Sequence, residues 1–203
     1  MKGLGAITFI LASRLLFGGV TQVDIENWRT NPPRDVAPGD LVFRRDNGVF
    51  SWLFICASQR EKKFSHVGIV VEGGERPRII HADANEISGI GCVREEGWEG
   101  FFRESLGAAV WRLQVADGVR EKIVVEARAR LGVPFDSAFS LSDTNRLYCS
   151  EFVRESVNAA TGEETIGVTD LGGGKRMVAV DDCYATNVVK IAECYSSGAA
   201  KRK

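Results

Sequence analysis

The order of elements written in this sequence predicts the α+β class, an antiparallel sheet with helices packed on one face. Three observations carry that prediction. Apolar or alternating runs of strand length come first, at 41–43, 64–71, 78–82 and 109–113. The second and third are joined by Glu72-Gly73-Gly74-Glu75-Arg76-Pro77, a hairpin-like connection that pairs them antiparallel. Only then do apolar residues recur at every third or fourth position, in Val119-Ile123-Ala127-Leu131 and in Cys149-Phe152-Val153-Val157-Ala160. That is the period of a helix with one buried stripe.

Taken in order, Met1 and Lys2 lead into an apolar run, Gly3 to Ser13, that has the outline of a signal peptide, but Arg14 interrupts it and no A-x-A site follows. A spanning helix over Gly3 to Val20 would hold Arg14 at a cost of about 3 kcal/mol. A signal, an anchor and a helix packed on the domain all stay open, and with them membrane association through residues 3–20. Thr21 to Gly39, punctuated by Asn31-Pro32-Pro33 and Pro38-Gly39, reads as a connector. Residues 1–38 are therefore an apolar helix and connector, 39–195 the domain proper, and 196–203 a basic tail.

Within the domain, Leu41-Val42-Phe43 is a strand and Ser51 caps a brief helix through Trp52, Leu53, Ile55 and Cys56. Val67, Ile69 and Val71 face one side of the next strand, while His66, Gly68 and Val70 face the other. Arg78 to Ala82 returns beside it and carries His81; register decides whether the two rings share a face. Glu86 to Gly100 reads as loop with a short strand near Cys92-Val93. Asp117 caps the first long helix, which Gly132 and Pro134 end, and Gly162 stops the second. Met177 to Val180 and Val188 to Ile191 are edge-strand candidates.

Lys+Arg 26 against Asp+Glu 27 leaves a net charge of −1, so bulk charge favours neither nucleic acid nor an anionic membrane, and recognition falls to a pocket. Trp52, Trp98 and Trp111 read as core or pocket wall, since no basic stripe accompanies them. Five scattered cysteines without a C-x-x-C pair point to neither a disulfide framework nor a zinc ribbon. Gly172-Gly173-Gly174-Lys175 fails as a phosphate loop, with Thr169 at the first glycine position and Arg176 in place of Ser or Thr.

Cys149 begins the stripe of the second helix, where loop turns into helix. A thiol there lies near unpaired N–H groups and the positive end of the helix dipole, which favour the thiolate. Its base must be one of the two histidines, His66 and His81, or a carboxylate. A metal site built from His66, His81 and Cys149 matches no common ligand spacing. The reading needs no cofactor and no metal.

Five short motifs in order, Gly39-Asp40-Leu41-Val42-Phe43, Ser65-His66-Val67-Gly68-Ile69-Val70, Ile80-His81-Ala82, Gly132-Val133-Pro134-Phe135-Asp136 and Tyr148-Cys149-Ser150-Glu151-Phe152-Val153, resemble the circularly permuted NlpC/P60 cysteine hydrolases of the YiiX/YebB type. The resemblance spans roughly 40–162, with the cysteine after the histidine rather than before it. It implies Cys149 as nucleophile, His66 as base and His81 in the third, orienting place, with Glu72, Asp83 and Asp136 as fallbacks for that place. The Cys149 N–H would be the first oxyanion donor and Tyr148 an auxiliary one. The implied activity is thioester-forming hydrolysis of an amide, with bacterial cell-wall peptide as the leading substrate. Two rivals stand: a hydrolase or acyltransferase acting on lipid-linked esters or amides, and a non-catalytic binding module on the same scaffold. The implied place of action is the periplasm or cell envelope, or outside the cell as an antibacterial effector, with the cytoplasm as alternative; the sequence names no immunity or secretion partner.

Overall fold

The computed structural model describes residues 25–195 except 117 and 186. The expectations placed on residues 3–20, on Asp117 and on the tail 196–203 lie outside the described residues. The centre is one six-stranded antiparallel sheet, order β4-β3-β2-β1-β5-β8, built from β1 Leu41–Arg45, β2 His66–Glu72, β3 Arg78–Ala84, β4 Gly91–Gly97, β5 Gly107–Leu113 and β8 Val188–Tyr195. A separate two-stranded ribbon joins β6 Thr169–Asp170 to β7 Arg176–Met177.

Both faces of the sheet are covered, which is why β1 reads as an uninterrupted apolar run rather than an alternating one. Leu41 and Phe43 enter a large core with α4 Val119–Ala129 and α5 Cys149–Thr161. Val42 enters a smaller core on the opposite face, with α1 Ile25–Thr30 and α3 Trp98–Phe101. The prediction of helices on a single face is corrected by this second layer. Ile25 and Trp28 of α1 are buried in it, so the stretch read as connector supplies a helix to the fold. A helix of six residues is too short for apolar periodicity to show in sequence.

α5 buries Phe152, Val153 and Val157 against the sheet, each contributing about 1.5–3 kcal/mol, and stops at Gly162, whose φ of 77° is open to glycine at no steric cost. Other expectations are corrected. The short strand expected near Cys92-Val93 is longer, β4 running seven residues, because Arg94, Glu95 and Glu96 hide its continuation, which pairs with β3 and adds the side-chain pairs Asp83 with Arg94 and Arg78 with Glu95. Leu131 lies past the end of α4 and is exposed. Of the edge-strand candidate Met177 to Val180, only Met177 lies in a strand, β7 of the separate ribbon, and Val180 belongs to a 3-10 helix, Val180–Tyr184. The short helix α2, Val49–Ala57, starts two residues before Ser51, which is buried on its inner face, and leaves Trp52 pointing into solvent.

Candidate active site

The β2–β3 ladder runs from Glu72↔Arg78 only as far as Ile69↔Ile80. Beyond that point β3 continues in register with β4 and β2 with β1, while the backbone pairing between β2 and β3 ends. Side chains from both faces approach this end of the ladder, and Cys149 and His66 line one cavity there. From one face comes Cys149, first residue of α5; on the other lie His66 and His81, both packed against the Phe101 ring. Gly68 permits the approach: a Cβ there would stand 2.7 Å from Ile79 Cγ2 and 3.2 Å from His81 Cβ.

A hydrogen-bonded chain crosses the gap. His66 Nε2 is 2.8 Å from His81 Nδ1, with the rings near perpendicular at 86°. His81 Nε2 is 3.1 Å from Glu96 Oε2. An ionised carboxylate only accepts, so His81 carries its proton on Nε2 and donates it to Glu96. Nδ1 of His81 is then an acceptor, and His66 donates to it from Nε2. That tautomer leaves the lone pair of His66 on Nδ1, the form a general base requires.

The electrostatics keep the imidazoles neutral. Burial, followed by the Arg44 guanidinium, holds His66 well below the usual histidine range. Burial also lowers His81, opposed by its bond to Glu96, and that same bond lowers Glu96. Arg44 is fixed by Asp46, by the Phe101 carbonyl and by the face of the Phe101 ring.

Cys149 departs from the thiolate expected at a helix N-terminus. Burial pushes its pKa up to about 12, against the smaller lowering by the Val67 and Ser150 N–H groups that face the sulfur. Desolvation outweighs the helix dipole here, so the resting group is a thiol. The Val67 contact seats the sulfur at the residue following His66. Cys149 and His66 line one cavity of about 40 Å³ together with Phe50, Phe54 and Phe135. The cavity shares Arg44, Asp46, Asp83 and Glu86 with a cleft of about 490 Å³ that adds Arg94, Glu96, Arg103 and Glu104.

The auxiliary residues fare differently. Tyr148 is extended at the N-cap of α5, and its hydroxyl accepts from the Val178 N–H instead of reaching the cavity. Asp136 is buried but caps its own loop, accepting from Ala138 N and Ser140 N. Glu72 lies at the far end of β2, paired with Arg128 on the surface. None of these three faces His66, and Glu96, which sequence reasoning missed, holds the far end of the chain of hydrogen bonds. Its signal in sequence would have been the pairing of β4 with β3, which places Glu96 across from Ile79 on the face that carries His81.

Asp83 comes closer. With His66 and His81 it offers three ligand atoms within 4.8 Å of one another. The set does not fit a resident cation: the two rings already bond each other, and Asp83 is held by Arg94 at 2.6 Å and approached by Arg44 at 3.8 Å. Two guanidiniums and a satisfied imidazole pair suit a proton relay better than a metal.

A search of curated proteins finds no match. Among solved structures, the chain is similar to the crystal structure described as that of metalloprotein yiiX from Escherichia coli O157:H7, with a TM-score of 0.63 and 20% identity over 77% of this chain and 97% of that one. That likeness bears on the fold. Here the histidine strands precede the cysteine helix, and residues 35–193 match the family model of the permuted papain-like amidase enzymes, YaeF/YiiX, C92; the chain belongs to that family.

Proposed function

We propose that this amidase cleaves an amide of a bacterial cell-wall peptide, with Cys149 as nucleophile, His66 as general base, and His81 and Glu96 as the groups that position His66. The observation that carries the reading is the Glu96–His81–His66 chain, which leaves the base nitrogen free while the cysteine sulfur sits against Val67. As Sγ attacks the carbonyl carbon, His66 Nδ1 takes the thiol proton. The N–H groups at the start of α5, which carry no side-chain cap, are donors for the oxyanion. His66 then gives that proton to the leaving nitrogen, the C–N bond breaks and a thioester remains. Water, deprotonated by the same imidazole, releases the acid and restores the thiol.

The cleft supports a peptide because it presents both signs of charge, Arg94 and Arg103 against Glu86 and Glu104, as a substrate with free ammonium and carboxylate groups requires. Family membership favours an enzyme over a binding module. Action in the envelope or outside the cell goes with this substrate, and the cytoplasm is its alternative. Among the described residues no helix is long and apolar enough to cross a membrane.

A second reading, hydrolysis or transfer on lipid-linked esters or amides, is favoured by the solvent-facing apolar side of α2 beside the cavity. The test compares release from purified peptidoglycan fragments with release from phospholipid vesicles. Cys149→Ala and His66→Ala should lower peptide cleavage by roughly 10²–10⁴ with the fold intact; retained activity in either overturns the mechanism, and faster release from vesicles overturns the substrate.

A further inference from the structure

α2 reverses the usual pattern of a surface helix. Its sole polar side chain, Ser51, is buried, while Val49, Trp52, Leu53 and Cys56, at positions i, i+3, i+4 and i+7, all face solvent. Val49 is 67% exposed and Trp52 64%. The turn Asn85–Ile90 extends the same surface, because Glu86 Oε2 accepts from the Val49 N–H. At its tip Ile87 is 97% exposed and Ile90 77%. Asn85 Oδ1 accepts from the N–H groups of Ile87 and Ser88, so these isoleucines are held out by an ordered turn.

We propose that this surface docks the protein on a phospholipid bilayer, with Trp52, Leu53, Ile87 and Ile90 inserted among the lipids. Side chains this exposed protrude, and a fluid interface accommodates protrusions that a partner protein would need a matching groove to receive. Tryptophan at the edge of an apolar patch is the residue that interfacial membrane contact favours. Ahead of the described residues the chain has the apolar run Gly3 to Val20, for which a membrane anchor is one of the open readings, and stable attachment takes two such signals. The surface is also continuous with the candidate active site, since Phe50, Ser51 and Phe54 on the inner side of α2 line the cavity of Cys149. A bilayer against the outer side would lie about 10 Å from the sulfur, one helix diameter. Charge has a small part. In the segment after α2, Arg60 is paired with Asp182 and Lys63 with Glu193, which leaves Lys62 without an ion pair among the described residues.

The experiment measures partition of the full chain onto phosphatidylcholine vesicles, with and without phosphatidylglycerol, by co-sedimentation. It is done in the Cys149→Ala background, so that failure of the docking surface and failure of the chemistry are read separately. Trp52 emission should shift to the blue and be quenched by lipids brominated on the acyl chain. Ile87→Asp combined with Ile90→Asp should lower partition about tenfold or more, with little change on adding salt or anionic lipid, and in the Cys149-containing protein should leave cleavage of a soluble amide unchanged. Trp52→Ser is the second variant, expected to lower partition in the same direction. Unchanged partition in both variants would assign attachment to residues 3–20 alone and overturn the proposal. So would a concentration-dependent dimer that these substitutions dissociate, which would make the surface an interface between copies.

Discussion

Glu96 Oε2 stands 3.1 Å from His81 Nε2 and so sets the tautomer of a ring that in turn sets the tautomer of His66. In the proposed mechanism the carboxylate lies one imidazole further from the base, His66, than in a simple triad. When His66 becomes an imidazolium, its charge is answered through a neutral ring rather than directly.

The first prediction follows from that distance. Glu96→Gln keeps an acceptor for His81 but removes the charge, and should lower kcat about tenfold while KM moves by less than about twofold. Glu96→Ala, which leaves a buried Nε2–H unpaired, should cost more, about 10²-fold. His81→Asn, able to accept from His66, should retain more activity than His81→Ala. Equal losses in the two His81 variants would remove the orienting role.

The protonation states make a second prediction. Burial lowers both histidines, so the folded protein binds fewer protons than the unfolded chain around pH 6. Stability from these groups is present above pH 6.5 and is lost as pH falls through 6.5 towards the folded values. Urea midpoints should therefore fall across that window in the native protein and fall less in His66→Gln. Cys149, raised to about 12, should be alkylated by iodoacetamide more slowly than exposed Cys56 at pH 7, with a rate that climbs with pH. A plateau of Cys149 reactivity below pH 6 would mean a resting thiolate and overturn this assignment.

Gly68 links fold to site in a third prediction. A methyl group at this position meets the side chain of Ile79 at 2.7 Å and the Ile80 carbonyl at 3.1 Å, so β3 has to move, and His81 with it. Gly68→Ala should destabilise by about 1–3 kcal/mol, the range for overpacking, and lower kcat through the displaced His66–His81 bond. Preserved kcat with lowered stability would show that the histidine pair tolerates the shift.

These cases also show what sequence carries. Cys149, His66 and His81 stand in short motifs on strongly patterned elements, so their convergence could be argued from strand pairing and a helix start. Glu96 could not, because Arg94-Glu95-Glu96 has no apolar alternation, and only its pairing with β3, to which the side-chain contacts with Arg78 and Asp83 add, makes it a strand. Glu72, Asp83 and Asp136 were equally plausible as acids near a histidine; which carboxylate arrives depends on register and on where the β2–β3 ladder ends. The thiol state of Cys149 departs from the sequence expectation for a different reason. The helix dipole is local and visible in sequence, whereas desolvation depends on what the whole fold stacks over the sulfur. Trp52 was read as wall or core because apolar residues usually are, and its exposure is a tertiary fact.

The last prediction concerns Glu151, two residues after the cysteine. Its carboxyl is buried and Oε2 has no hydrogen-bond partner, while the Tyr148 N–H, the N-cap group of α5, lies at the other side of the carboxyl. Burial raises its pKa to about 8, so at neutral pH it is largely protonated. A carboxyl raised in the folded state contributes stability that is complete below the unfolded value near 4.5 and is lost as pH rises through 8. Glu151→Gln keeps the shape and the acceptor but cannot ionise. Its melting temperature should match the native protein at acid pH and exceed it above pH 8, by about 2–4 °C for each kcal/mol of ionisation cost removed. Ionised Glu151 would also place a negative charge in the first turn of the helix whose N–H groups are the proposed oxyanion donors. Cleavage by the native enzyme should therefore decline above pH 8 while the variant holds its rate. Parallel alkaline decline in both proteins would assign that limb to another group, and identical melting curves at pH 9 would mean that the carboxyl finds a partner when it ionises.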